Sequence, residues 1–258
     1  MRYNHKKSLR YLEQFNLPDY VKWHLNRMVT SIDHLCSLVK PRGMKVLDLG
    51  HDPCMGLLLK NTGMDLIANL APGSTDACSF KTKDGEEIRW HSDIFDFEEP
   101  FPYPDNSFDM VTAFEVIEHI KDNPRHFITE VKRVLKSDGY FYLTTPNINC
   151  WSKIIRQFRA DQIYDSIPYS RDYGKRHFMS HTFEWSFWEV RNFLCSEGFN
   201  IVSKKTWDPY LNDEKGVRSL CLRILIFVSL IISGYLKEAA LLWKDRGHVI
   251  GMLLINPK

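Results

Sequence analysis

The sequence predicts an α/β fold in which a parallel, doubly wound sheet is covered by helices. The first observation is that short apolar runs alternate with helical segments from Lys45 onward, as in sheets built from strand–helix–strand units. The second is that the first run, Lys45–Leu49, ends at Gly50, where the missing Cβ lets the backbone approach a ligand. The third is the composition, because 258 residues with 44% hydrophobic and 26% charged side chains are typical of a globular chain.

The residues before the first strand are predicted to be helical. Apolar side chains recur at roughly helical spacing over residues 11–39. Pro18 begins a new helix within this stretch, and the Pro-Arg-Gly turn at 41–43 ends it. We therefore expect residues 1–43 to form an N-terminal helical cap.

The remaining elements follow from the same two periodicities. Apolar runs and alternating segments predict strands, and amphipathic segments that stop at glycine predict helices. In order, they are a helical fragment at Leu57–Lys60, strands at Met64–Leu70, Ile88–Ile94 and Phe108–Val116, a helix at Asn123–Leu135, a strand at Tyr140–Thr145, a helix at Glu184–Glu197, and strands at Phe199–Trp207 and Val249–Ile255.

The predicted topology indicates where a ligand binds. In such sheets, ligands bind beyond the carboxyl ends of the strands, at the point where the strand order reverses. This rule directs attention to the residues that end or follow the strands, which are Gly50, Asn69, Asp93, residues 114–119 and residues 144–147.

Three sequence blocks resemble class I S-adenosylmethionine-dependent methyltransferases with a methyltransferase type 11/23-like domain. They are VLDLG at 46–50, FPYPDNSFDMVTAFEVIEHI at 101–120 and EVKRVLKSDGYFYLTTPN at 130–147. The resemblance continues through RHF at 176–178 to the last strand. It implies a Rossmann-like, seven-stranded sheet with an antiparallel hairpin at one edge and a methyltransferase domain over residues 44–258. It also implies S-adenosylmethionine as cofactor and S-adenosylhomocysteine as product.

The resemblance implies a cofactor site at the ends of the first four strands. The position of Asn69 is usually acidic in the family and holds both ribose hydroxyls, and an amide is a weaker acceptor for them. Asp93 matches the position that contacts the adenine amine, with a solvated turn carboxylate as the alternative. The full set of cofactor-binding residues is Asp48, Gly50, Asn69, Asp93, Ile94, Phe114 and Glu115.

The loop after the first strand departs from the family's GxGxG pattern. Asp52 and Cys54 replace two glycines, and their side chains are expected to narrow the cofactor slot. Asp52 would repel the cofactor's carboxylate or attract its ammonium group. Asp52 and Pro53 also predict the start of a helix, whose N-terminal N–H groups we expect to be open to the methionine carboxylate.

Glu115, Glu118 and His119 form an E-x-x-E-H motif at the end of the fourth strand. We predict that His119 is the general base for a hydroxyl that is being methylated, with positioning alone as the alternative. The motif is also similar to that of metal-dependent ubiquinone-pathway O-methyltransferases and small-RNA 2′-O-methyltransferases. A metal would need a further ligand, for which His177 and His181 are the candidates. Metal-free relatives carry a similar block, so we expect no metal.

Two insertions are predicted, one after the fifth strand and one before the last. Residues 149–181 are aromatic and basic and are interpreted as a lid over the substrate. Residues 216–246 are interpreted as an apolar helical insertion, in which the uncharged Ile224–Leu236 run would span about 20 Å as a helix, too short for a bilayer core of about 30 Å. The insertion either packs on the sheet or on a second subunit of a homodimer, or contacts the membrane interface through residues 220–243. The lid's basic residues, which suit a phosphate or a sugar, are Lys153, Arg156, Arg159, Arg171, Lys175 and Arg176.

Charge and cysteine content exclude several function classes. A formal net charge of +2 provides no general attraction to nucleic acid, so a nucleic-acid partner is not expected. The six cysteines are scattered without a CxxC pair, which excludes a zinc ribbon and a thioredoxin site. No N-terminal signal pattern is visible, and we expect a cytoplasmic protein, with a position peripheral to the inner face of the membrane as the alternative.

The sequence therefore predicts an S-adenosylmethionine-dependent methyltransferase that methylates an oxygen. The expected acceptor is a small or lipid-linked molecule, with a saccharide as a candidate. Two alternatives stay open. One is a degenerate, non-catalytic relative that acts as a binding scaffold, which the altered glycine loop suggests. The other is a metal-dependent RNA 2′-O-methyltransferase.

Overall fold

The computed structural model describes residues 5–74, 78–120, 122–158, 183–208, 224, 228 and 245–257. The described part contains six α-helices, one short 3-10 helix and nine strands. They are α1 (His5–Leu12), α2 (Asp19–Leu38), β1 (Lys45–Leu49), α3 (Pro53–Asn61), β2 (Asp65–Leu70), β3 (Ser79–Lys81), β4 (Glu87–Arg89), β5 (His91–Ile94), β6 (Phe108–Phe114), the 3-10 helix (Ile117–His119), α4 (Pro124–Val134), β7 (Leu135–Pro146), α5 (Trp151–Phe158), α6 (Phe187–Ser196), β8 (Asn200–Trp207) and β9 (Val249–Ile255).

Seven strands form one sheet in the order β5-β2-β1-β6-β7-β9-β8. The first five run parallel, and β9 is antiparallel to both β7 and β8. The predicted seven-stranded, doubly wound sheet with an antiparallel edge is thus confirmed. The chain leaves β1 for β2 on one side and later adds β6 on the other, so the strand order reverses beside β1. The carboxyl end of β1 is the expected ligand position in such a sheet.

Apolar side chains on the two faces of the sheet pack into two separate clusters. On one face, Leu47 and Leu49 of β1 pack with residues of α4 and α6. On the other, Val46 packs with residues of α1, α2 and α3. Because both faces are covered, the strands are nearly continuous apolar runs. The N-terminal helices share their cluster with the sheet, and the proposed domain boundary at residue 43 stays a prediction.

Helix starts follow the local sequence closely. Asn123 caps α4, with its side-chain oxygen accepting from the N–H of His126 at 3.0 Å. Ser186 and Glu189 form a reciprocal capping box at the start of α6. These side chains satisfy N–H groups that would otherwise have no partner within the helix.

The new helix predicted to begin at Pro18 is α2, which begins at Asp19 and follows α1, which ends at Leu12. The strand expected after residue 87 differs from the prediction. The single strand expected at Ile88–Ile94 is divided between β4 and β5 at Trp90. The Trp90 side chain is buried in the apolar cluster that contains α3. β4 pairs with β3 in a separate two-stranded sheet, whereas β5 joins the main one.

The predicted insertions fall largely outside the described residues. The lid is described only up to Phe158, and the apolar insertion only at Ile224, Val228, Asp245 and Arg246. Of the helices in the described ranges, none has the length and hydropathy needed to cross a membrane.

At Gly56 in α3, neighbouring aromatic side chains leave no room for a Cβ. A Cβ at Gly56 would lie 2.7 Å from Trp90 Cζ2 and would also meet the His51 ring. We expect Gly56→Ala to lower the free energy of unfolding by about 1–3 kcal/mol, as overpacked cores do. Urea unfolding measures the effect, with Lys60→Ala in the same helix as the control. Equal stability of Gly56→Ala and the control would contradict this packing.

Candidate active site

A cavity of about 730 Å³ opens at the carboxyl ends of the parallel strands. This volume is in the range of sites that hold a cofactor or a drug-sized ligand. One half is formed by the residues that end or follow β1, β2, β5 and β6, including Gly50, Asn69 and Phe114. The other half is formed by α2, the end of β7, the start of α5, Glu184 and the start of β9. We call them the strand-end half and the outer half.

The structure brings five of the eight predicted site residues together. The residues that line the cavity are Gly50, Asn69, Phe114, Glu115 and His119.

Asp48, Asp93 and Ile94 are outside the cavity lining. Asp48 is buried beneath the loop, where its carboxylate accepts from Thr112 Oγ1 at 2.7 Å. Asp93 accepts from the Tyr103 hydroxyl at 2.7 Å, and Ile94 is 62% exposed. The cofactor roles implied for these three residues stay predictions.

Asp52 forms the N-cap of α3, and this changes what the helix end offers a ligand. Its Oδ1 accepts from the N–H groups of Cys54 and Met55 at 2.8 and 3.1 Å. The N–H of Gly56 bonds the Asp52 carbonyl at 2.9 Å, and Pro53 has no N–H. The expectation that this helix end is open to a methionine carboxylate is therefore wrong, because Asp52 already occupies its donors.

Cys54 does not enter the cavity. Its side chain is fully buried in the apolar cluster on the inner side of α3. Its expected role in narrowing the slot is therefore also wrong, whereas Asp52 does line the cavity.

Asn69 connects the backbones around the floor of the strand-end half. Its Oδ1 is 3.4 Å from the N–H of Gly50, and its Nδ2 donates to the carbonyls of Leu70 and Phe95 at 3.2 and 3.0 Å. Gly50 has a φ of 69°, and a Cβ there would lie 2.5 Å from Val116 Cγ2. The loop therefore needs glycine at position 50 and a donor at position 69.

Glu115 joins three elements at the boundary between the two halves. One carboxylate oxygen accepts from Thr144 Oγ1 at 2.7 Å, and the other lies 2.7 Å from the Arg27 guanidinium of α2. Both members of the ion pair are largely shielded from solvent. Both carboxylate oxygens of Glu115 are thus bonded, and they hold α2 against the ends of β6 and β7.

Glu118 is fully buried, and its Oε2 accepts from Thr145 Oγ1 at 2.9 Å. Burial raises the pKa of Glu118 well above its ordinary value, and the neighbouring Glu115 charge adds to the effect. The two carboxylates of the motif are therefore bonded to different strand-end threonines. Within the described ranges, no three metal-ligating side chains converge, and His177 and His181 lie outside them.

The outer half is rich in hydrogen-bonding side chains. α2 contributes His24 and Ser31, and α5 contributes Ser152 and Lys153. Lys153 forms a buried ion pair with Glu184. The remaining polar residues of this half are Arg27, Thr144, Arg156 and His248.

Comparison with known proteins agrees with this geometry. A family model described as a methyltransferase domain matches residues 24–195, which is more than half of the chain. The chain belongs to the methyltransferase-domain family.

Two curated relatives and one solved structure illustrate the similarity. The mitochondrial ubiquinone biosynthesis O-methyltransferase of Dictyostelium discoideum is 28% identical over 144 residues, covering 49% of this chain and 42% of that protein. The ubiquinone biosynthesis O-methyltransferase of Glaesserella parasuis is 26% identical over 178 residues, covering 64% and 73%. The chain thus spans less than half the length of the first relative. A SAM-dependent methyltransferase structure from Archaeoglobus fulgidus has the same fold, with a TM-score of 0.55, 14% identity, and coverage of 92% of this chain and all of that one.

The cofactor of this methyltransferase family, S-adenosylmethionine, fits the strand-end half. Gly50 presents only its backbone to this region, and the aromatic rings of Phe95, Phe97 and Phe114 line it as well. A flat base and a ribose suit such a surface. Asp52 is a polar residue there that would contact the methionine end, whereas the Asn69 amide is bonded to backbone groups.

Sequence reasoning missed the residues that this methyltransferase domain contributes from outside its motifs. Arg27, Glu184 and His248 belong to no recognisable spacing pattern. His248 could have been predicted from the topology. The last strand is antiparallel to β7, so its first residues lie beside the end of β7, where Val249 pairs with Pro146.

The buried Glu118 predicts a pH-dependent stability. Its pKa is raised in the folded state, so the contribution of Glu118 to stability is greatest below the ordinary value of 4.5 and decreases as the pH rises above it. We expect Glu118→Gln to equal the wild type near pH 4 and to exceed it at pH 8 by more than about 1 kcal/mol, since each pKa unit is worth about that much. Urea unfolding across this range provides the measurement. Glu99→Gln is the exposed control, and a difference that does not change with pH would refute the prediction.

Proposed function

We propose that this protein transfers a methyl group from S-adenosylmethionine to a hydroxyl oxygen of a small or lipid-linked polar acceptor, with a saccharide as the favoured class. The observation that carries the proposal is the polar outer half beside the strand-end half. Its side chains offer both donors and acceptors, as with Ser152, Lys153 and Glu184. Hydroxyl groups of a sugar satisfy both kinds of partner, which an apolar acceptor cannot do.

The names of the relatives support oxygen as the methylated atom. Both curated relatives described above are O-methyltransferases. We do not propose the same acceptor for this chain, because the residues of the outer half come largely from positions outside the shared motifs.

The reaction needs mainly orientation and exclusion of water. Bound S-adenosylmethionine supplies an electrophilic methyl group on a sulfonium. The protein's part is to hold the acceptor oxygen in line with that methyl group at a distance where attack is favourable. Arg27 and Glu115 fix α2 at the boundary of the two halves, and Lys153 and Glu184 fix α5. These two ion pairs keep the outer half in one geometry.

A non-catalytic scaffold is the second candidate, and the Asp52 cap favours it. Asp52 places a negative charge beside the methionine end and occupies the N–H groups of α3. A site closed in this way would not bind the cofactor. A measurement of cofactor binding is therefore enough to distinguish the two candidate functions.

Titration calorimetry with S-adenosylmethionine and S-adenosylhomocysteine is the first experiment. We expect micromolar or tighter dissociation constants for the wild type. Asn69→Ala should weaken binding by about tenfold or more, equivalent to about 1.4 kcal/mol, because it releases the Gly50 and Phe95 backbones. The control is Asn192→Ala on the exposed side of α6. A folded wild type without binding at millimolar cofactor would favour the scaffold.

The acceptor class is tested by transfer of a tritiated methyl group from S-adenosylmethionine. The panel consists of D-glucuronate, methyl α-D-mannoside and a polyprenyl-diphosphate-linked disaccharide. Incorporation into at least one member supports the proposed class. Cofactor binding without incorporation into any of them would count against a saccharide.

We also propose peripheral membrane contact through residues 220–243, which would suit a lipid-linked acceptor. Ile224 and Val228 lie one helical turn apart, and both are exposed. The apolar run that contains them and the lysines that follow resemble an interfacial helix in composition. A homodimer through the same surface is the competing arrangement.

Co-sedimentation with liposomes containing anionic lipid tests this contact. We expect the wild type to pellet and the Ile224→Asp/Val228→Asp variant to stay in the supernatant, because charges oppose insertion at the interface. Val202→Asp is the matched control, since Val202 is exposed on β8 to a similar extent. A folded wild type that never pellets would refute membrane contact, and its molar mass by light scattering would reveal the dimer.

A further inference from the structure

His248 lies in the outer half of the cavity, immediately before β9. Its Nδ1 is 3.3 Å from Ser152 Oγ, which in turn is 3.1 Å from Cys150 Sγ. The Cys150 thiol also forms a hydrogen bond with the His248 ring. Cysteine, serine and histidine thus form one connected acid–base cluster, which we call the 150–152–248 cluster.

Backbone contacts fix the cluster in place. The N–H of Asn147 donates to the His248 carbonyl at 2.9 Å, and the N–H of Trp151 donates to the Arg246 carbonyl at 3.2 Å. Asn147 Nδ2 also donates to the carbonyl of Gly247 at 2.9 Å. The start of α5 is thereby tied to the residues that enter β9, so the backbones that carry Cys150, Ser152 and His248 are held next to each other.

The pKa values of Cys150 and His248 are shifted in the directions expected for a thiol and an imidazole that share one proton. Burial raises the pKa of the Cys150 thiol, but the hydrogen bond and charge of His248 outweigh it and bring the pKa to about 7. Burial lowers the pKa of His248, but Cys150 and the charge of Asp208 outweigh it, so the His248 pKa is raised.

In the described ranges, the other charged groups near the cluster are Lys153, which opposes protonation of His248, and Arg246, which interacts with Cys150. Glu184 is bound to Lys153 and reduces its effect.

We propose that His248 is the catalytic base that accepts the proton of the acceptor hydroxyl, with Cys150 and Ser152 as its positioning residues. This inference rests on the proposed function. In the step, the proton that the pair shares lies on the Cys150 sulfur, so the imidazole is neutral; the acceptor O–H bond breaks and its proton moves to the imidazole while the oxygen forms a bond to the methyl carbon. The carbon–sulfur bond breaks, and its electron pair stays on sulfur, which becomes a neutral thioether. The proton then leaves the imidazole for solvent.

His248 suits this role better than His119, the base that the motif predicts. His119 belongs to the 3-10 helix beside the strand-end half, next to Ile120 and Asp122 in the lining. His248 lies among Ser152, Lys153 and Glu184, the polar residues that we assign to the acceptor. A base must reach the hydroxyl proton, so its place in the outer half is the deciding argument.

Nitrogen-resolved NMR of the histidine side chains tests the shared proton without any acceptor. The S-adenosylhomocysteine-bound protein is titrated, and His248 is assigned by the signal lost in His248→Asn. We expect the His248 pKa to be above the ordinary value of 6.5 and to fall in Cys150→Ser, because the thiol partner that raises it is gone. An unchanged His248 pKa in Cys150→Ser would overturn the cluster, whether or not methyl transfer has been detected.

Methyl transfer to the best acceptor of the saccharide panel tests the catalytic role. We expect His248→Asn to lower kcat by about 10²–10⁴-fold, the usual contribution of a general base, with unchanged S-adenosylhomocysteine affinity. In Cys150→Ser the acidic limb of the kcat profile should move to lower pH, a shift that a merely structural role would not produce. His126→Asn on α4 is the control.

The outcomes separate the two proposals. Retained kcat in His248→Asn would overturn the base and leave the methyltransferase intact. Absence of cofactor binding in the wild type would instead contradict the proposed function.

Discussion

The carboxyl ends of three neighbouring strands are held together by one amide side chain. Asn69, which is buried near the end of β2, bonds the backbone that follows β1, the end of β2 and the backbone that follows β5. A carboxylate at this position would face two carbonyl oxygens without a proton to donate. The departure from the family's acidic residue therefore has a structural reason, and the floor of the strand-end half depends on it.

The second departure, at Asp52, acts on the electrostatics of the same region. A carboxylate at a helix N-terminus is stabilised by the helix dipole and by the N–H groups that it caps. It also places a negative charge in the lining of the strand-end half. If the proposed cofactor binds there, this charge would attract its ammonium group and repel its carboxylate, unlike the uncharged backbone of a glycine-rich loop.

Much of the fold could be predicted, because the strands are apolar runs and the helix starts are marked by caps such as Asn123. The split at Trp90 could not, since the alternating pattern continues through it, and only burial against α3 turns the side chain inward. The same contrast holds in the site. Gly50 and Asn69 follow strands that the motifs identify, whereas His24 and Glu184 come together only through tertiary packing.

The two halves of the cavity are therefore built by different means. The strand-end half is formed by backbone and by short polar side chains at strand ends, which the fold itself fixes. The outer half is formed by ion pairs between elements distant in sequence, Arg27 with Glu115 and Lys153 with Glu184. Removing one partner of such a shielded pair leaves an uncompensated charge, which costs more than the pair contributes. The positions of α2 and α5 consequently depend on both members of each pair, so a substitution that removes one partner would disturb the geometry of the whole outer half.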